Sequence, residues 1–156
     1  DNVFKELKKY KIDGLIIVDL TYVESEEILK KLNEEGVDLI RLISPTTTDE
    51  RISKIIASSS GYLYYISLKG VTGSNLKVSE ELEKRVSKIK KQTNLPVVVG
   101  FGIKDAETAN KMSKCSDGVV VGSKLVDEIS KHSSVEDNLF KQNLTSIIED
   151  LKQGIS

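Results

Sequence analysis

The sequence predicts an α/β fold with a parallel sheet, and three observations support this. Five short runs rich in Val and Ile recur along the chain: Gly14–Leu20, Val37–Ile43, Tyr62–Leu68, Pro96–Gly100 and Gly118–Gly122. Charged stretches with helical spacing lie between them. The runs start about 22 to 34 residues apart, the length of a βα unit whose helix packs back on the sheet.

Taken in order, the chain opens in what reads as the middle of a helix and lacks an initial Met, the mark of a processed or incomplete chain. The runs are rich in Val and Ile, as strands covered on both faces require. Ser25–Glu35 brings Ile28, Leu29 and Leu32 to one helical face, and Gly36 supplies a left-handed stop. Thr48 before Asp49 and Glu50 is a helix start, because its hydroxyl accepts from free backbone N–H groups while the acids complement the positive helix end. The helix it opens, Asp49–Ser58, aligns Ile52, Ile55 and Ile56. Glu80–Lys91, Asp105–Lys114, a helix starting near Ser123, and Val135–Gln153 complete the set.

Composition bounds the rest. The chain has 156 residues, 38% of them hydrophobic, which fits one packed domain over 1–156. Its 23 basic and 24 acidic side chains nearly cancel, so no net field favours nucleic acid or an anionic membrane. No stretch approaches the apolar length of a membrane span, and Asp1-Asn2-Val3-Phe4 has no signal-peptide pattern. The single Cys115 and single His132 exclude an internal disulfide and the usual zinc site, and they fit a reducing, cytoplasmic setting. Two architectures remain: an open doubly wound sheet, complete with five strands, or part of an eight-stranded (β/α)8 TIM barrel of about 250 residues. Length alone favours the open sheet.

In either architecture ligands bind beyond the carboxyl ends of the strands. Three of those ends are rich in glycine: Lys69-Gly70-Val71-Thr72-Gly73-Ser74-Asn75, Gly100-Phe101-Gly102-Ile103 and Gly122-Ser123. Glycines there let backbone N–H groups approach an anion, and the helix starting near Ser123 adds its positive end. Together they form a candidate phosphate cradle, although any one of them also serves as a tight turn. Gly70 and Gly73 flank a long connection suited to a mobile lid, from which Thr72 brings a hydroxyl. Tyr64 and Phe101 are the aromatics best placed for an apolar ligand, although Tyr64, with the same parity as Ile66, reads first as a core tyrosine with a satisfied hydroxyl. Asp19, late in its run, is the acid–base candidate, with a structural role as its alternative. Asp105 reads as a helix cap, Asp117 as a turn residue, Cys115 and His132 as helix residues, and Lys69 as a solvated lysine or a Schiff-base amine.

Read together, Asp13–Leu20 (DGLIIVDL), Leu42–Arg51 (LISPTTTDER), Gly61–Ser74 (GYLYYISLKGVTGS), Pro96–Ala106 (PVVVGFGIKDA) and Asp117–Val126 (DGVVVGSKLV) resemble the C-terminal part of the tryptophan synthase α subunit, a (β/α)8 barrel. Their order and spacing make the match specific, and it covers nearly all of the chain. The resemblance implies a partial barrel of about five βα units, strands four to eight, with strands one to three absent. It overrides the open sheet.

The resemblance further implies cleavage of indole-3-glycerol phosphate to indole and glyceraldehyde 3-phosphate without a cofactor. Pyridoxal phosphate is expected only in the β subunit, the implied partner. Gly73, Gly102, Gly122 and Ser123 match positions that hold the substrate phosphate. Phe101 and Tyr64 match positions beside the indole and glycerol chain, Val120 an apolar position near the indole, and Thr72 the lid threonine. The family's catalytic Glu and Asp match no residue here, so the chain alone is expected to be inert, acid–base transfer contributing about 10²–10⁴-fold. Thr21 stands where the family usually has Pro, and Leu68 where relatives often have Arg. Other readings are a Schiff-base aldolase using Lys69, which borohydride trapping would reveal, and a non-catalytic half-barrel that binds phosphorylated metabolites.

Overall fold

A computed structural model describes residues 2–20, 25–66, 76–100, 102–131 and 138–155. Helices and strands alternate through α1 (Asn2–Lys9), β1 (Gly14–Ile16), α2 (Ser25–Glu35), β2 (Asp38–Ile43), α3 (Asp49–Ala57), β3 (Leu63–Ile66), α4 (Leu76–Lys90), β4 (Val97–Gly100), α5 (Ala106–Ser113) and β5 (Gly118–Val120). Two helices follow, α6 (Ser123–Ser130) and α7 (Asn138–Gln153). None of the helices among the described residues is long and apolar enough to cross a membrane.

All four strand pairings are parallel, in the spatial order β1-β2-β3-β4-β5. A doubly wound sheet reverses its direction of growth at a switch point, whereas a barrel adds every strand on the same side of the last. The sequential order therefore corrects the length-based preference for an open sheet and gives the winding of a barrel.

The registers place Leu42, Tyr64, Val98 and Gly118 on one face and Ile43, Tyr65, Val99 and Val119 on the other, because side chains alternate along a strand. The second face carries the main core. Ile43, Leu63, Tyr65, Val97 and Val99 pack there against Ile52 of α3, Leu82, Val86 and Ile89 of α4, Ala109 and Met112 of α5, and Leu151 of α7. A second cluster joins Leu32, Val37 and Leu39 to Phe4, Leu7, Leu15, Ile28 and Leu29.

The first face is only partly covered. Leu42, Tyr64, Ile66, Val98 and Val120 are half-buried, and Ile16 is 42% exposed. This corrects the expectation of strands buried on both faces, since side chains from across a closed barrel are what fill its interior. β1 also stops at Ile16, short of the expected Leu20. Among the described residues it pairs on one side only, with β2, and Val18 beyond it is 73% exposed.

Local signals are realised where they were read. Thr48 adopts an extended conformation and its side chain accepts from the Arg51 N–H, while Gly36 ends α2 at φ +69°. Asp105 and Thr108 form a reciprocal capping box at α5.

Candidate functional site at the strand ends

The register of β4 and β5 sets the geometry of the site. Gly100 pairs with Val120, so Gly102 and Gly122 each lie two residues beyond a paired position, on adjacent loops at the same end of the sheet. Both glycines and Ser123 are exposed. Gly102 has φ +75°, a left-handed conformation that favours glycine.

The helix starts beyond the strands differ. At α3 and α5 side chains of Thr48 and Asp105 accept from the first-turn amides. Gly122 precedes α6 and supplies no side-chain cap. Its carbonyl accepts from Leu125 and Val126 N–H, at 2.9 and 3.1 Å. The Ser123 and Lys124 N–H groups thus have no intrahelical acceptor and lie at the positive end of the helix dipole. A Cβ built on Gly122 would meet nothing within 4 Å, so the space beside this residue is open. This is an arrangement that can take an anion.

Below the loops, on the half-open face, Tyr64 lies against Gly100, and Val120 pairs beside it. Burial raises the Tyr64 phenol above its usual range, with Tyr62 adding to the effect. Its hydroxyl has no hydrogen-bond partner among the described residues, and the residue belongs to this face and not to the helix-packed core, where Tyr65 sits. The structure thus places Gly102, Gly122 and Ser123 on adjacent loops at one end of the sheet, with Tyr64 and Val120 on its half-open face. Thr72, Gly73 and Phe101 lie outside the described residues, as do Thr21, Leu68, Lys69, Gly70 and His132.

The carboxylates sort by contact. Asp105 caps α5, its carboxyl held below the usual range first by the Thr108 backbone N–H and then by the Thr108 hydroxyl. Asp117 accepts from Lys90 Nζ at 2.5 Å and from the Val97 N–H at 2.8 Å, which ties the turn before β5 to β4. Lys90 and then Val97 hold its carboxyl low. Asp19 is exposed in the turn after β1, with no hydrogen bond or ion pair among the described residues. Cys115 lies just beyond α5, not within it, and is half-buried. Among the described residues no three His, Cys, Asp or Glu side chains gather into a metal-holding group. The sequence reading assigns no role to Arg41, although its signal, a cation in the centre of an apolar run, is visible.

A one-way parallel sheet whose strands follow one another in chain order, each followed by a helix, defines the class: a segment of a (β/α) barrel. The family model described as tryptophan synthase alpha chain matches residues 1–156, and the chain belongs to that family. The tryptophan synthase alpha chain of Marinobacter nauticus is 44% identical over 144 residues, which are 92% of this chain and 53% of that relative. Among solved structures, the alpha subunit from Legionella pneumophila strain Paris is 34% identical with a TM-score of 0.74, covering 92% of this chain and 52% of that one. The alpha subunit from the hyperthermophile Pyrococcus furiosus is 29% identical with a TM-score of 0.81, covering 97% and 60%. The chain thus spans about half the length of the curated relative it matches.

Proposed function

We propose that this chain forms the phosphate-holding part of a lyase that cleaves indole-3-glycerol phosphate to indole and glyceraldehyde 3-phosphate, as one unit of five βα modules equivalent to barrel strands four to eight. The observation that carries the reading is the uncapped N-terminus of α6, open at Gly122 and beside the Gly102 loop.

In this reading the substrate phosphate accepts from the Ser123 and Lys124 amides and the Ser123 hydroxyl, with Gly102 and Gly73 allowing close approach of their backbones. Tyr64, Val120 and Phe101 flank the indole and glycerol chain, and Thr72 closes over them. Oriented phosphate binding supplies positioning, which lowers the entropic part of the barrier. Proton transfer belongs to a Glu and an Asp that match no residue of this chain. The carbon–carbon cleavage uses no cofactor of its own. A pyridoxal-phosphate β subunit is the proposed partner that consumes the indole, in the cytoplasm.

An NMR titration with indole-3-propanol phosphate, an uncleavable mimic, tests the reading, with inorganic phosphate as control. Saturable shifts at Gly102, Gly122 and Ser123, tighter for the indole compound, are expected. A folded sample without such shifts overturns the claim that this part of the barrel holds a preformed phosphate site.

A further inference from the structure

A second basic site lies on the other side of the sheet. Arg41 occupies the middle of β2, on the face that carries the helices, and is only 7% exposed. Its Nη1 donates to the Leu20 carbonyl at 2.9 Å, but Nε and Nη2 are buried without a hydrogen-bond partner among the described residues. Burial lowers its pKa from the usual arginine value, and a guanidinium nonetheless keeps its proton. A buried, half-partnered cation is unfavourable unless something supplies the missing acceptors.

The surroundings are shaped to hold a ligand that supplies them. Arg41 lines a cavity of about 100 Å³ between the segment after β1 (Ile17, Val18, Leu20) and one face of α3. That face presents Arg51, Lys54, Ile55 and Ser58, spaced three and four residues apart as neighbours on a helix surface. Lys54 is bridged to Glu50 at 2.7 Å, while the side chain of Arg51 has no ion pair or hydrogen bond among the described residues. Glu50 offsets one of the three cations, and among the described residues no carboxylate pairs with either guanidinium group. The volume is that of a few water molecules, enough for one compact oxyanion.

We propose that this cavity binds a small dianionic oxyanion, a phosphate group, through a charge-assisted fork from Arg41 Nε and Nη2, with Arg51 and Lys54 completing the charge. The guanidinium fork matches phosphate geometry, and phosphate near neutral pH carries a charge of about −1.5 to −2, close to the positive excess. The site is separate from the strand-end loops. It stands whether or not the α6 reading holds.

The test follows the Arg41 Nε–Hε resonance and the amides of Ile55 and Ser58 as inorganic phosphate, sulfate and acetate are added at constant ionic strength. Phosphate and sulfate are expected to give saturable shifts there, with acetate at least about tenfold weaker. Arg41→Met should abolish those shifts while leaving any shifts at Gly122 and Ser123 intact. The same variant should melt higher than the parent without phosphate and gain no stability from it. Should Arg41→Met fail to fold, exposed Arg51→Gln provides the second variant, with affinity expected to fall severalfold at unchanged melting temperature. Absence of a response at Arg41 in a folded sample would show that water or a carboxylate of the protein fills the cavity, and would overturn the proposal. Acetate binding as tightly as phosphate, or phosphate shifts that survive Arg41→Met, would overturn it as well.

Discussion

Tyr64 lies so close over Gly100 that no side chain fits between them: a Cβ on Gly100 would come 2.6 Å from Tyr64 Cε2 and 2.8 Å from Cζ. The pairing of β3 with β4 puts Tyr64 opposite Val98 and Gly100 opposite Ile66, so the two residues share the half-open face. A ring laid over bare backbone is thereby fixed beneath the glycine loops.

Gly100→Ala must push that ring aside. Overpacking of this kind costs about 1–3 kcal/mol, and the same change in a Tyr64→Ala background is expected to cost less, with a coupling of roughly 0.5–3 kcal/mol. Denaturant unfolding of the four proteins checks it. Equal costs in both backgrounds would mean that the ring relaxes without resistance.

Ser123→Asp should move stability and binding in opposite directions. The first turn of α6 has no acidic residue, so a carboxylate there complements the helix dipole and should add about 0.3–1 kcal/mol. The same charge would repel a bound phosphate and weaken indole-3-propanol phosphate by at least about tenfold. Melting curves and titration read the two effects. Undiminished affinity would place the phosphate elsewhere than at α6.

Acid sensitivity should depend in part on Asp117. Its carboxyl is held below the usual range by Lys90 and by the Val97 N–H, so the folded state favours the ionised form. That contribution is present above the unfolded carboxylate value of about 3.9 and is lost as pH falls through the lower folded value. Asp117→Asn should therefore be less stable near neutrality and lose less stability below about pH 4. Urea midpoints across that window decide the matter; an unchanged slope would shift the acid sensitivity to Asp105, whose carboxyl is also held low.

Cys115 should be a slow thiol. Burial pushes it above the usual cysteine range, Glu83 adds to this, and Sγ donates to the Met112 carbonyl at 3.4 Å. Because the thiolate is the reacting form, alkylation by iodoacetamide near neutral pH should run at least about tenfold slower in the native chain than in the unfolded one. Equal rates would place the thiol in open water.

Much of this was legible in the sequence because its signals are local. Thr48, Asp105 and Gly36 work within one turn of the backbone, so their roles as caps and stop were readable and the structure bears them out. The glycines at 102 and 122 announced strand-end loops for the same reason. Two things were not legible. β1 ends at Ile16 although Ile17 and Val18 continue an apolar run, because a strand extends only as far as a neighbour pairs with it. The burial of Arg41 was not legible, although the cation itself stands out in its run, because it depends on the segment after β1 and on α3, which meet only in the folded chain.

The sequence by itself determined which stretches are strands and helices, and that the glycine-rich ends share one side of a parallel sheet. Tertiary structure alone decided where β1 stops and the role of each face. Tyr64 and Tyr65 are adjacent and chemically identical, yet Tyr65 is 3% exposed in the helix-packed core while Tyr64 stands on the half-open face under the loops. The two faces of an isolated strand are equivalent. Only pairing with neighbours and the packing of helices on one side make them different.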